Sequence, residues 1–231
     1  MNKELLLSEL QLRGINLSNN QVEALMSLMK RTLETNEKFN LTAIKDEKSF
    51  LEKMIFDSAI ALQELDLTNK KVIDVGTGAG FPGLVLYILN PNINLTLLDS
   101  TKKKIDYLAD YSKENNYQIN CVSARAEECG FVEEFDYAFA RAVASLNILL
   151  ELIVPMLKVG GTFIALKGLG FEKEINDSLS AMKKLGCHLV KVIEDELPET
   201  KEKRAMIYIV KDKKTNPKYP RTYSDIKRKP L

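Results

Sequence analysis

Residues Lys71 to Asp99, KVIDVGTGAGFPGLVLYILNPNINLTLLD, decide how the rest of the chain is read. Val72-Ile73-Asp74-Val75 is a β-branched apolar run that breaks at Gly76-Thr77-Gly78-Ala79-Gly80, and Pro82 opens an apolar segment of helical character. That order predicts a short strand, a glycine turn and a helix start. Glycines at alternate positions let the backbone reach φ > 0 and remove Cβ atoms where a ligand would lie on the main chain. Asn90-Pro91-Asn92 closes the helix, and Leu95-Thr96-Leu97-Leu98-Asp99 is a second strand ending on a carboxylate. In a βαβ unit a carboxylate placed there accepts hydrogen bonds from a ribose diol, so the stretch predicts a nucleoside site.

Two registers compete for the identity of the nucleoside. Gly78-x-Gly80-x-x-Gly83 matches the dinucleotide fingerprint, but it leaves Gly76-Thr77 as extra residues between the strand and the first working glycine. The register Asp74-Val75-Gly76-x-Gly78-x-Gly80 resembles motif I of S-adenosylmethionine (SAM) dependent methyltransferases, whose cofactor has no pyrophosphate for the helix N-terminus to hold.

The remaining chain suits one α/β unit with a modest extension. Its 231 residues are 45% hydrophobic, enough for a proper core. No apolar run approaches the roughly 20 residues needed to span a bilayer, and MNKELLLSEL carries acids where a signal peptide would not, so a cytoplasmic protein without membrane partners is expected. Cys121, Cys129 and Cys187 are too few and too scattered for a disulfide framework, and the single His188 offers no zinc cluster, so no metal is expected. Net charge is +1, but from Lys211 onward eight basic residues face two acidic ones, leaving a tail of +6 and a remainder of −5. Such a tail either contacts phosphates or is a solvated end.

In order, residues 1–66 read as a helical N-terminal extension. Ser18-x-x-Gln21 is a capping-box signature, and Phe50, Leu51, Met54, Ile55, Ala59 and Leu62 mark a third amphipathic helix after Phe39-Asn40-Leu41-Thr42. Residues 67–211 read as the nucleoside-binding α/β unit and 212–231 as the basic tail. Beyond Asp99, strands are expected at 119–123, 135–141, 162–168, 189–193 and 205–210, with helices after Lys102, over 146–157 up to Gly160-Gly161, and over 172–185. The loop after the third strand, Ala124-Arg125-Ala126-Glu127, lies where an adenine edge is read, while Arg141 and Lys167 end neighbouring strands at the ligand crevice. Two cations there favour an anionic or acceptor-rich substrate. Seven strands closing on an antiparallel hairpin look like the class I, Rossmann-like methyltransferase fold.

Several runs together resemble one family, the bacterial methyltransferase acting on a guanine N7 of small-subunit (16S) ribosomal RNA, also called glucose-inhibited division protein B. They are Asn40-Leu41-Thr42, Asp74 to Gly83 with its Phe81-Pro82-Gly83, Leu98-Asp99-Ser100, Arg125-Ala126-Glu127-Glu128, Arg141 to Leu146, Leu166-Lys167-Gly168 and Pro217 to Arg221. The resemblance covers about Asn40 to Arg221, and Met54 departs from it where family members commonly carry His. It implies a SAM site built from Gly76, Gly78, Gly80 and Phe81, with Asp99 on the ribose and Ala126 and Glu127 beside the adenosine. It further implies Arg141 and Lys167 as catalytic, Arg141 touching cofactor and base. Asn40, Arg125, Lys167, Arg204, Lys218 and Arg221 are implied on the RNA side, with 16S RNA or the small ribosomal subunit as partner.

Guanine N7 carries an in-plane lone pair and no proton, so its methylation needs no general base. Cytosine C5 would require a nucleophilic cysteine, and Cys121 and Cys129 have no recognisable setting for one. Three rival classes stay open on sequence: a nicotinamide-dependent oxidoreductase, a non-catalytic RNA-binding module, and a methyltransferase acting on another RNA or a small molecule.

Overall fold

A computed structural model describes residues 1–231. Seven strands, β1 (Lys71–Val75), β2 (Asn94–Asp99), β3 (Asn120–Ser123), β4 (Phe135–Arg141), β5 (Leu157–Lys167), β6 (Cys187–Glu196) and β7 (Lys203–Lys211), make one sheet ordered β3-β2-β1-β4-β5-β7-β6. The five neighbours β3, β2, β1, β4 and β5 pair in parallel, whereas β7 is antiparallel to both β5 and β6. The strand order reverses between β1 and β4, which opens a crevice at their carboxyl ends.

Alternation along β5 shows how the sheet divides two cores: Phe163 and Ala165 face one side, Ile164 and Leu166 the other. The Ile164 side holds α5 (Gly83–Leu89), α6 (Lys102–Glu114) and the N-terminal helices α1 (Lys3–Leu12) and α2 (Asn19–Asn36), whose Leu6, Leu10, Leu25 and Leu28 join the same cluster as Val85 and Leu108. Ser18 and Gln21 form the reciprocal cap of α2. The Phe163 side holds α7 (Leu146–Ile153) and α8 (Phe171–Leu185).

Four elements differ from the sequence reading. The third helix is composite: α3 (Glu47–Phe50) passes through a π-turn at Leu51–Phe56 into α4 (Asp57–Ala59) and a 3-10 turn at Ile60–Leu62. The helix expected over 146–157 stops at Ile153 because Pro155, within a 3-10 turn, has no N–H to continue the ladder. Gly160-Gly161 then lies inside β5, whose register against β4 jumps between Phe135↔Leu157 and Tyr137↔Thr162. Arg204, just outside the strand expected at 205–210, is drawn into the longer β6-β7 ladder, where it pairs with Asp195.

The tail is the fourth difference. Thr222 caps a short helix α9 (Tyr223–Arg228), Ile226 is fully buried, and Tyr219, Tyr223 and Leu231 pack on the α7 side of the sheet. Lys211 belongs to β7 and is buried too, donating to the Leu157 carbonyl at 2.8 Å and pairing with Glu133.

Candidate active site

A cavity of about 920 Å³ sits at the carboxyl ends of β1, β2, β4 and β5, within the range of cofactor-sized pockets. Its floor is the turn after β1. Gly76 (φ +72°) and Gly78 (φ +60°) both take the left-handed conformation. A Cβ on Gly76 would lie 2.5 Å from Val143 Cγ2, whereas one on Gly78 would point into open space, with only the Gly76 carbonyl 4.0 Å away. Gly78 is therefore the place where main chain is bared to the cavity.

Asp99, almost fully buried, closes this turn. Its Oδ2 accepts from the Gly78 N–H at 3.0 Å and its Oδ1 from the Thr101 N–H at 2.8 Å. A carboxylate offers about four acceptor sites, so the two backbone bonds orient Asp99 and leave about two lone pairs for a vicinal diol. Ala126 and Glu127 line the wall beyond Asp99, following the Ala124 N–H that bonds the Asp99 carbonyl at 3.2 Å. The bared main chain at Gly78 and the oriented acceptor on Asp99 fit a ribonucleoside such as SAM.

Beneath the turn Asp74 is wholly buried. Its Oδ2 accepts from Thr77 Oγ1 at 2.7 Å and from the Gly83 N–H at 2.9 Å, while Oδ1 has no partner. Burial pushes this carboxyl up to about 6, only partly opposed by those two bonds and the Arg141 charge.

The other rim is a chain of alternating charges. Arg141, 14% exposed in its side chain, donates from Nη1 to the Lys53 carbonyl at 2.6 Å and to Asp57 Oδ2 at 3.2 Å, and Nη2 meets Met54 Sδ at 3.2 Å. Arg204 reaches the other oxygen of Asp57 through Nε at 3.0 Å and Glu202 through Nη2 at 3.0 Å, and Lys53 also pairs with Glu202. The Lys53 carbonyl and the Met54 sulfur that meet Arg141 both lie within the π-turn. The Arg141 guanidinium also lies 5.9 Å from the ring of Phe81, which stands edge-on to Phe50.

The structure gathers Gly76, Gly78, Phe81, Asp99, Arg125, Ala126, Glu127, Arg141, Lys167 and Arg204 around one cavity. It separates others. Gly80 does not line it; a Cβ there would strike Leu84 of α5 and Leu108 of α6, so its place is in packing the turn against those two helices. Asn40 is exposed beside a separate shallow depression, while its neighbours Leu41 to Ile44 reach the cavity. Lys167 is not a free cation at the rim: its Nζ donates to the Ala144 carbonyl at 2.7 Å and pairs with Glu174 at 2.7 Å. Arg221 turns inward on the fully buried Glu151, with Nε–Oε1 at 2.7 Å and Nη2–Oε2 at 2.5 Å, because a buried carboxylate requires a bonded cation. Lys218 is exposed over the ring of Tyr219, and Arg125 is 57% exposed with Glu127 3.7 Å away. The positive rim drawn from Arg141 and Lys167 is thus weaker than the sequence suggests, since Asp57, Glu202 and Glu174 stand against it.

Asp57, Asp74 and Glu174 were not among the sequence candidates. A carboxylate in the apolar run Ile55-Phe56-Asp57-Ser58-Ala59-Ile60 is a signal that could have found the first, because such a charge must have a partner.

Strand order, glycine turn and oriented Asp99 together define a class I SAM-dependent methyltransferase. Residues 21–205 match the family model described as GidB, rRNA small subunit methyltransferase G. Proteins named ribosomal RNA small subunit methyltransferase G are 42% identical over 224 residues in Alkaliphilus metalliredigens (94% of either chain) and 39% identical over 239 in Lactobacillus acidophilus (100% of either). The chain belongs to this family. Among solved structures, M. jannaschii TYW2 in complex with AdoMet is similar with a TM-score of 0.59 at 14% identity, covering 74% of this chain and 80% of that one. A SAM dependent methyltransferase from Aquifex aeolicus gives 0.54 at 17% identity, over 77% and 98%. Family membership sets aside the nicotinamide reading.

Proposed function

We propose that this chain methylates N7 of a guanine in 16S ribosomal RNA, presented as RNA or within the small ribosomal subunit, in the cytoplasm. Bound SAM supplies the methyl group, carried on a sulfonium sulfur. Gly78 and Asp99 hold the nucleoside end, and Phe81 and Arg141 stand where the reacting atoms would meet. Orientation of this kind can contribute several kcal/mol.

One observation carries the choice of N7: every carboxylate lining the cavity already has a cation or N–H partner, and no cysteine lines it. Asp57 is held by two arginines, Glu174 by Lys167 and Asp99 by the Gly78 and Thr101 N–H groups, and Glu127 lies 3.7 Å from Arg125. Cys121 and Cys129 lie outside the cavity, and burial pushes both thiols up, away from the reactive thiolate. Guanine N7 asks for neither a base nor a nucleophile. Arg141 retains its Nε–H and one Nη2–H beyond the contacts named above, donors suited to guanine O6 or a phosphate. A cation on N7 itself would block the lone pair, although Arg ordinarily reads O6 and N7 together.

The test is chemical mapping of 16S RNA from cells with and without this gene, using strand scission specific for N7-methylguanine. One scission site present with the gene and missing without it is the expected result. Identical patterns would overturn the assignment.

A further inference from the structure

The segment Arg141 to Ser145 forms the wall between the glycine turn and the open side of the cavity, and its backbone is strained. Ala142 lies at φ +56°, a conformation that non-glycine residues rarely hold unless their surroundings impose it. Val143 packs against Gly76, in the space a Cβ there would need. The segment runs into α7, whose capping residue Ser145 makes no side-chain cap; its hydroxyl bonds Asn147 instead.

Both sides of the segment are gripped from outside. Glu174, in the first turn of α8, accepts the Leu146 N–H on Oε2 at 2.7 Å, so it supplies the cap that α7 lacks. The same oxygen pairs with Lys167 Nζ at 2.7 Å, and that ammonium donates to the Ala144 carbonyl at 2.7 Å. An N–H and a C=O two residues apart are thereby tied to β5 and α8.

We infer that Glu174 is a positioning residue, acting through Lys167 and the Leu146 N–H to press the strained Ala142-Val143 wall onto the SAM-binding turn. The inference rests on the reading of this cavity as a SAM site, but not on which RNA is methylated. A carboxylate more than thirty residues away in sequence therefore sets the width of the cofactor cleft. Lys167 belongs to the same clamp.

The test is the affinity of S-adenosylhomocysteine for the purified full chain, measured by calorimetry, together with hydrogen exchange of the amides from Ala142 to Leu146. With the clamp gone, the competent wall conformation becomes a minority, and a population near one tenth raises Kd about tenfold. Glu174→Ala is expected to show that rise, with the fastest exchange concentrated in this segment and a lowered thermal midpoint, since Lys167, 10% exposed, loses its carboxylate. Glu174→Gln keeps an acceptor for the Leu146 N–H and is expected to restore Kd to within about threefold of wild type. Should Glu174→Ala fail to fold, Lys167→Met removes the Ala144 contact and carries the same expectation. Wild-type affinity and wild-type exchange in the folded variant would overturn the clamp. Failure of the RNA assignment shows instead as wild-type protein that binds the cofactor product yet leaves 16S RNA unmethylated.

Discussion

Replacing Asp74 by Asn should remove a pH-dependent penalty on stability. The carboxyl is wholly buried, one oxygen takes both available donors, Thr77 Oγ1 and the Gly83 N–H, and the other takes none. Burial raises it from the ordinary 3.8 to about 6. Because the folded state holds its proton more tightly than the unfolded chain does, the contribution is most favourable below pH 3.8, and stability declines as pH rises through about 6. The full difference corresponds to about 3 kcal/mol, and about half of it accrues between about pH 5 and pH 8. Asn keeps an oxygen for both donors but places an NH₂ where Oδ1 has no partner, a cost independent of pH. Its absolute stability is therefore a poor readout, whereas the slope is clean. Urea unfolding of both proteins between pH 5 and pH 8 should show the wild type losing about 1.5 kcal/mol relative to Asp74→Asn. A gap that stays constant over that range, or that widens in the opposite direction, would refute the account of Asp74 as an ionisable group confined without a second partner.

Gly78→Ala and Gly80→Ala should separate binding from folding. The first meets only the left-handed strain of about 1–2 kcal/mol and open space, so S-adenosylhomocysteine affinity should fall by about tenfold or more in a protein that still folds. The second drives a Cβ to 2.5 Å from Leu84 Cδ1 and 2.8 Å from Leu108 Cδ2, and urea unfolding should report a loss of about 3 kcal/mol. Arg221→Ala strands the buried Glu151 carboxylate and should lower stability by about 2–3 kcal/mol, measured by the same unfolding. Exposed Lys218→Ala should leave stability unchanged and, through one lost phosphate contact, reduce the salt slope of RNA binding by about 1.

Much of the glycine turn and its setting was legible in the chain because its determinants are local. A strand, a run of alternating glycines, a helix start and Asp99 all fall within Lys71 to Asp99, and the hydrogen bond from Gly78 to Asp99 spans only 21 residues. The antiparallel β6-β7 ending was equally visible, since two strands with no helix between them can close only as a hairpin. The fate of the cations was not. Lys167 and Arg141 both read as charges ending apolar strands, and nothing nearby in sequence says that Glu174 or Asp57 will neutralise them. Glu151 and Arg221 lie 70 residues apart, so a basic tail that reads as either phosphate-contacting or solvated became a docked segment only when the fold brought a buried carboxylate beneath it. The π-turn at Leu51–Phe56 was likewise invisible, because its residues follow an ordinary amphipathic pattern, and so was the docking of Arg141 on its Lys53 and Met54.

The sequence by itself therefore determined the glycine turn, its acidic partner and the sheet that carries them, since backbone conformation and side-chain type act there over short range. Tertiary structure alone decided which charges face a substrate and which are used up inside. The energy of an ion depends on what surrounds it at a few ångströms, and that neighbourhood is assembled from distant parts of the chain.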